Sequence, residues 1–401
     1  MPYLDHAATT PLRAEAFAAM EPFLREPVGN PSSLHGPGRR ARVAVDAARA
    51  RVAAVLGCAP AEVVFTSGGT EADNAALRGT LAGAALRETG RPGLVTSAAE
   101  HHAVLHPAEA LRADGHPVTV LPPGPTGAPD ALAVASALTE YTGLVSVMLV
   151  NNEVGTVADV AGIAAGAHAA GALVHTDAVQ AAGLLPLTVD ALGVDLLSLS
   201  AHKLGGPAGA GALFVRAGTP FAPFVAGGAQ ERGRRGGTEN VAAIVGFAAA
   251  LTLAHAERDA HAERLRALQT HLAGRLRAAF GDGIRFNTPL AGFTETPAET
   301  APHILSVSFR AGDSGDGSGG APLDGQMLLV GLDLDGVHVS AGSACTSGAL
   351  EPSHVLLAMN VPRDTAGATL RFSFGRTTTR ADIDAAVDAT ERTVARVRPV
   401  A

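Results

Sequence analysis

From about residue 38 to residue 216 the chain alternates stretches of helical spacing with short apolar runs. The runs are Val63-Val64-Phe65, Leu94-Val95, Leu144 to Val150, Leu173-Val174, Leu196-Leu197 and Leu213-Phe214-Val215. This is the pattern of repeated βα units, and it predicts an α/β fold: a mostly parallel sheet with helices on both faces. Several runs end in polar or glycine-rich turns, such as Ser67-Gly68-Gly69-Thr70-Glu71 and His175-Thr176-Asp177. A parallel sheet gathers such turns at the carboxyl ends of its strands, where open α/β proteins bind ligands. A stretch rich in Ala, Leu, Arg and Glu from about Leu253 to Phe280 predicts a long helix leading out of this domain. Beyond it, strand-like Ile304 to Phe309 and Leu370 to Phe374, with a capped helix starting near Thr379-Arg380-Ala381-Asp382, predict a smaller α+β domain. The Gly, Ser and Asp run at 311–320 reads as a flexible surface loop without chemistry, and there is no internal repeat.

Composition narrows the picture. At 401 residues and 47% hydrophobic, the chain has the length for two or three domains' worth of structure and can bury a large core. A net charge of -8 with no basic run argues against nucleic acid and anionic membrane surfaces as partners. No stretch approaches the roughly 18 uncharged apolar residues of a membrane span, and Met1-Pro2-Tyr3-Leu4-Asp5-His6 does not open a targeting signal. A cytoplasmic protein is the expectation. The two cysteines, Cys58 and Cys345, lie far apart, which suggests neither a disulfide framework nor a metal site borne by the chain.

One compositional fact points to chemistry: of the 30 lysines and arginines, a single one, Lys203, is lysine. Arginine serves surface charge and ion pairs equally well, but its guanidinium stays protonated and forms no imine with a carbonyl. Lys203 closes Ser198-Leu199-Ser200-Ala201-His202-Lys203, just after a short apolar strand and before Gly205-Gly206-Pro207. An amine so placed, near phosphate-binding groups, suits a Schiff base with a bound cofactor.

Other segments fit around it, each with a plainer alternative. Ser67 to Glu71 either cradles a phosphate at a helix start or forms an ordinary capped turn, and it lacks the Gly-Lys-Ser/Thr ending of a P-loop. Asp177 either protonates a pyridine nitrogen or caps the next helix. His101 and His102 follow Glu100, and they suit ring stacking or a polar turn better than a metal, for want of other ligands. Arg371 either clamps a carboxylate or makes a structural ion pair. Cys345, in Ser340-Ala341-Gly342-Ser343-Ala344-Cys345-Thr346-Ser347-Gly348, sits among small residues as an exposed thiol on a mobile loop would, whereas Cys58 reads as packing.

Taken in order, these segments resemble the cysteine desulfurases, the NifS/IscS-like group of the class V aminotransferases. The likeness runs from Tyr3-Leu4-Asp5-His6-Ala7-Ala8-Thr9-Thr10-Pro11, through Asn30-Pro31-Ser32-Ser33-Leu34-His35, to Leu370-Arg371-Phe372-Ser373-Phe374-Gly375-Arg376. The resemblance implies the pyridoxal-phosphate (PLP) transferase fold of type I. A large domain over 15–255 would hold a mostly parallel seven-stranded sheet, and a small domain from 1–14 and 256–401 would carry the mobile Cys345 loop. It implies PLP as cofactor, in a Schiff base with Lys203. Asp177 would pair with the pyridine nitrogen, Gln180 and Asn152 would surround the ring hydroxyl, and His101 would stack on the ring and act in catalysis. Gly69, Thr70, Ser200 and His202 would bind the phosphate, with Thr238 reaching across a homodimer interface. Arg371, with Asn152, would hold the substrate carboxylate.

The implied reaction converts L-cysteine to alanine and leaves a persulfide on Cys345. An acceptor protein, an iron–sulfur scaffold or a tRNA-thiolating enzyme, would then take the sulfur. No intrinsic metal is implied, although Cys345 could transiently ligate an iron–sulfur cluster. The neighbouring alternative is a selenocysteine lyase or another PLP lyase of the family, which would not need Cys345. The loop at 311–320 looks like an insertion relative to the family, and Gly69 stands where alanine is common.

Overall fold

The computed structural model describes residues 1–26, 29–83, 86, 88–310, 323–341 and 351–397. Cys345 and the glycine-rich run at 311–320 lie outside the described residues.

Seven strands form the main sheet: β1 (Val63–Thr66), β2 (Gly93–Ser97), β3 (Val118–Leu121), β4 (Thr142–Ser146), β5 (Leu173–Asp177), β6 (Leu196–Ser200) and β7 (Gly211–Val215). Their order is β1-β7-β6-β5-β4-β2-β3, parallel except for β7, which runs against both neighbours. Both faces are covered, and the strands show it at period two. Val63, Phe65, Val95, Val145, Leu197 and Phe214 join one core with the helices Gly36–Leu56, Val160–Ala169 and the start of Val241–Phe280. Their neighbours Val64, Leu94, Leu144, Leu196 and Leu213 pack on the other face against Leu77, Val104 and Leu111.

A second sheet, antiparallel in the order β10-β9-β8, is built from β8 (Ile284–Phe286), β9 (Ile304–Phe309) and β10 (Thr369–Ser373). The helix Arg380–Val397 packs on it, and its start carries the expected cap: Asp382 accepts from the Thr379 amide at 2.8 Å while Thr379 Oγ1 accepts from the Asp382 amide. The N-terminal segment belongs to this side. Leu4 is buried in its core, Tyr3 bridges to His338, and Asp5 bridges to Ser373 beside β10.

Two expectations need correction. The long helix runs Val241–Phe280, starting twelve residues earlier than its charged half indicated, with Asn240 capping it by accepting from the Ala243 amide. At 40 residues it spans about 60 Å. Its early turns are also apolar and long enough to cross a membrane by length and composition, contrary to the reading that no stretch approaches this. Those turns are core: Ala243, Ile244, Phe247, Ala248 and Leu251 are buried against the main sheet, while Leu265 to Leu276 pack in the second core. The apolar run Leu144 to Val150 also ends its regular strand at Ser146. Its later residues still bond along β5, with the Val147 and Leu149 amides donating to the carbonyls of His175 and Asp177.

Candidate active site

The carboxyl ends of β1, β2, β4, β5 and β6 face one edge of the main sheet, and the second sheet closes over it. Between them lies a cavity of about 550 Å³. Its walls hold Gly69, Thr70, His101, Asn152, Asp177, Gln180, Ser200, His202, Lys203 and Arg371, residues the sequence nominates from segments 300 positions apart. Thr238 is not among them. It is exposed on the same chain's surface, in the loop after Arg235. Val339, Ser340 and Ala341 complete the wall just before the segment that holds Cys345.

Lys203 ends a short 3-10 turn, Ala201–Lys203, directly after β6. The turn must then reverse tightly: Gly205 has φ +82°, and a Cβ on Gly206 would stand 2.9 Å from the Ala201 carbonyl oxygen. The amine donates to the carbonyl oxygens of Ala7 at 2.6 Å and Ala8 at 2.7 Å. Burial, then the nearby Arg371 charge, lower its pKa to about 8, against the opposing pull of Asp177 and Asp5.

Asp177 ends β5 and accepts from the Val179 amide at 2.8 Å, so it both shapes its turn and faces the cavity. Burial raises its pKa to about 6, with the Val179 bond and the Lys203 charge working the other way. Beneath it lie acids the sequence reading missed. Asp73 and Glu100 are fully buried and held well above the usual carboxylate range, chiefly by burial. His175, pushed down to about 3 by burial, lies 3.6 Å from Asp73 and bonds Ser146 at 2.9 Å and Ser198 at 3.0 Å. Glu153 is buried too and takes a short hydrogen bond from Ser353. The signal available was faint: Asp73 sits in a short helix, Glu100 and Glu153 in turns, and only His175 lies within an apolar strand.

Arg371 makes the ion pair that the sequence left open. Nη2 meets Asp5 at 2.9 Å, while Nη1 donates to the Asn152 carbonyl at 2.8 Å. It remains on the cavity wall, and among the described residues neither its buried Nε nor the side-chain oxygen of Asn152 has a partner. His101 caps the helix His102–Ala113, its Nδ1 accepting from the Ala103 amide at 3.1 Å, with the remaining ring facing the cavity. Burial, then Lys203 and the neighbouring histidines, lower it to about 4, so the ring is neutral near pH 7. His202 is lowered similarly, by burial and then Lys203, and bonds Thr9 at 3.1 Å. His102 stacks on His106 at a centroid distance of 4.8 Å and lies tilted against His354 at 4.6 Å, and with His354 it forms part of the rim. Cys58 is half-buried against the main core, and burial raises its thiol to about 11, in keeping with packing.

A family model for class V aminotransferases matches residues 2–386. The chain belongs to that family. It is 42% identical over 398 residues to the cysteine desulfurase IscS of Dictyoglomus turgidum, covering 99% of this chain and 95% of that one. It is 45% identical over 384 residues to a cysteine desulfurase of Cereibacter sphaeroides, covering 95% and 92%. Among solved structures, a NifS-like protein superposes with a TM-score of 0.87 at 34% identity, over 98% of this chain and 99% of that one. A structure described as SspA in complex with cysteine gives 0.77 at 31%, over 93% and 99%. The fold is that of the type I PLP enzymes, and the chain is a PLP-dependent enzyme of the cysteine desulfurase group.

The residues present fit that cofactor. An amine of lowered pKa, the buried carboxylate of Asp177, an Asn152 oxygen without a partner among the described residues and a glycine-opened turn at Gly68-Gly69 surround a cavity ample for a pyridine ring with its phosphate. A Cβ on Gly69 would stand 2.9 Å from a Val179 methyl, so the small residue keeps the backbone open there.

Proposed function

We propose that the protein desulfurates L-cysteine to L-alanine, with Lys203 as the cofactor-bearing amine and Cys345 as the sulfur acceptor. The observation that carries this reading is the convergence of the only lysine, Asp177 and Arg371 on one cavity, in a chain whose relatives are named cysteine desulfurases. Bound PLP supplies an electron sink that loosens bonds at the substrate's α-carbon.

The chain's own groups do the rest. Arg371 and Asn152 hold the substrate carboxylate, which must share Arg371 with Asp5. Lys203, with an amine near pKa 8, moves protons at the substrate carbons. Asp177 would keep the ring nitrogen protonated. His101 would lie against the ring, and Gly69, Thr70, Ser200 and His202 would hold the phosphate. The C–S bond of cysteine breaks, an S–S bond forms at Cys345, and a proton ends on the former β-carbon, so that L-cysteine and a thiol become L-alanine and a persulfide.

The same reading makes the enzyme a cytoplasmic homodimer, with Thr238 completing the partner's phosphate site. The lobes would divide near residue 255, where the long helix passes from one core to the other. Cys345 would deliver sulfur to an iron–sulfur scaffold or a tRNA-thiolating enzyme. The test is to incubate the PLP-loaded protein with L-cysteine and a reductant. Alanine and sulfide in equal amounts, with borohydride fixing PLP to the Lys203 peptide, support the reading; pyruvate with ammonia, or label elsewhere, overturns it.

A further inference from the structure

Sharing Val179, Gln180 and Lys203 with the main cavity, a smaller cavity of about 90 Å³ is walled by His6, His261 and His303 among others. His303 immediately precedes β9, is 4% exposed, and has its carbonyl bonded by the Phe374 amide at 2.8 Å. Its Nε2 stands 3.1 Å from Gln180 Oε1, and its Nδ1 has no partner among the described residues.

The proton on this ring follows from a carbonyl that can only accept. Ala7 O takes hydrogen bonds from Gln180 Nε2 at 2.9 Å and from Lys203 Nζ at 2.6 Å. Gln180 must therefore turn its NH2 toward Ala7 and its oxygen toward His303. An oxygen there requires a donor opposite, so Nε2 carries the hydrogen and Nδ1 is a bare lone pair. The flipped amide would face Ala7 O with a second oxygen, and the other tautomer would set a bare Nε2 lone pair against Gln180 Oε1 at 3.1 Å. Burial lowers the ring's pKa to about 3, and the charged and titratable groups around it, His261, Arg371, His6 and Lys203, all add to that opposition to protonation.

We propose that His303 is a positioning residue for the cofactor site: its Nε2–H fixes the Gln180 amide so that the NH2 edge serves both Ala7, the anchor of Lys203, and an oxygen acceptor in the cavity. This rests on the proposed site, in which that acceptor is the PLP ring hydroxyl oxygen. A donor there stabilises the ionised oxygen and lowers the pH midpoint of the bound cofactor's visible absorbance. Loss of His303 raises that midpoint.

The experiment titrates the absorbance of PLP-loaded wild type, His303→Leu and His303→Gln, with occupancy and melting temperature checked for each. The expected result is a midpoint raised by about one pH unit in His303→Leu, the scale of one hydrogen bond to a charged group. His303→Gln, whose amide can donate, should restore it. An unshifted His303→Leu, or an equal shift in both variants, overturns the proposal. Nitrogen NMR of wild-type His303 reads the tautomer without mutation: a protonated Nδ1 overturns the proposal even if His303→Leu does not fold. Should wild type carry no PLP on Lys203, the site reading fails instead, and the tautomer still judges the amide argument by itself.

Discussion

At the scale of single residues, Lys203 is the group whose chemistry is most constrained. An imine forms from the neutral amine only, and Lys203 is lowered from 10.5 to about 8, so its neutral fraction rises with pH to a midpoint near 8. The rate at which cofactor-free protein takes up PLP should thus climb about tenfold per pH unit below 8 and level off above. Stopped-flow absorbance checks this, and a climb continuing past pH 10 contradicts it. Arg371→Ala should keep the visible absorbance but raise KM for L-cysteine about 10- to 100-fold, the worth of a charge-assisted hydrogen-bonded clamp; an unchanged KM would leave Arg371 as the structural partner of Asp5 alone. Lys203 was legible in sequence because it is the single lysine, and Asp177 because it ends a strand. Asp73, Glu100 and Glu153 were not: their meaning lies in burial, which a local polar residue does not announce. His303 gains its role from Gln180, 123 positions away.

At the scale of elements, the loop leading to Thr238 is pinned to β1 by a buried pair. Arg49 meets Glu231 through both Nη atoms at 2.6 and 2.7 Å, Glu231 also accepts from the Phe65 amide, and the two side chains are 3% and 2% exposed. Glu231 has φ +47°, a conformation held for that contact. Glu231→Ala strands a buried guanidinium and should cost about 3–5 kcal/mol of unfolding free energy. Denaturant unfolding measures it, and a loss under about 1 kcal/mol, the worth of a surface pair, contradicts the assignment. Strong apolar runs marked β1, β2, β5, β6, β7, β9 and β10 correctly. β3 escaped because it is an edge strand, half exposed and bounded by Pro117 and Pro122. β8 has three residues, too few for a period. The long helix was recognised from its charged half, since its buried first turns have no polar face to reveal helical spacing.

At the scale of the whole molecule, the layered main sheet was legible because its inner strands are apolar runs buried on both faces, and the second sheet because the pattern changes after the long helix, whereas the way the two sheets meet was not. The N-terminal segment ties the two sheets together: Asp5 pairs with Arg371 of β10 while Ala7 and Ala8 hold Lys203 just after β6, across nearly 200 to more than 360 positions. If Thr238 completes a partner's phosphate site, the PLP-loaded protein sediments as a dimer, and a monomer with full occupancy contradicts that role. Desulfuration as proposed requires the substrate sulfur to pass to Cys345. The most direct measurement is alanine formed from L-cysteine with a reductant present, for the intact protein and for Cys345→Ala. The account predicts that alanine formation is lost in the variant while the visible absorbance of PLP on Lys203 persists; alanine formed at the same rate would mean a PLP lyase that does not use this thiol.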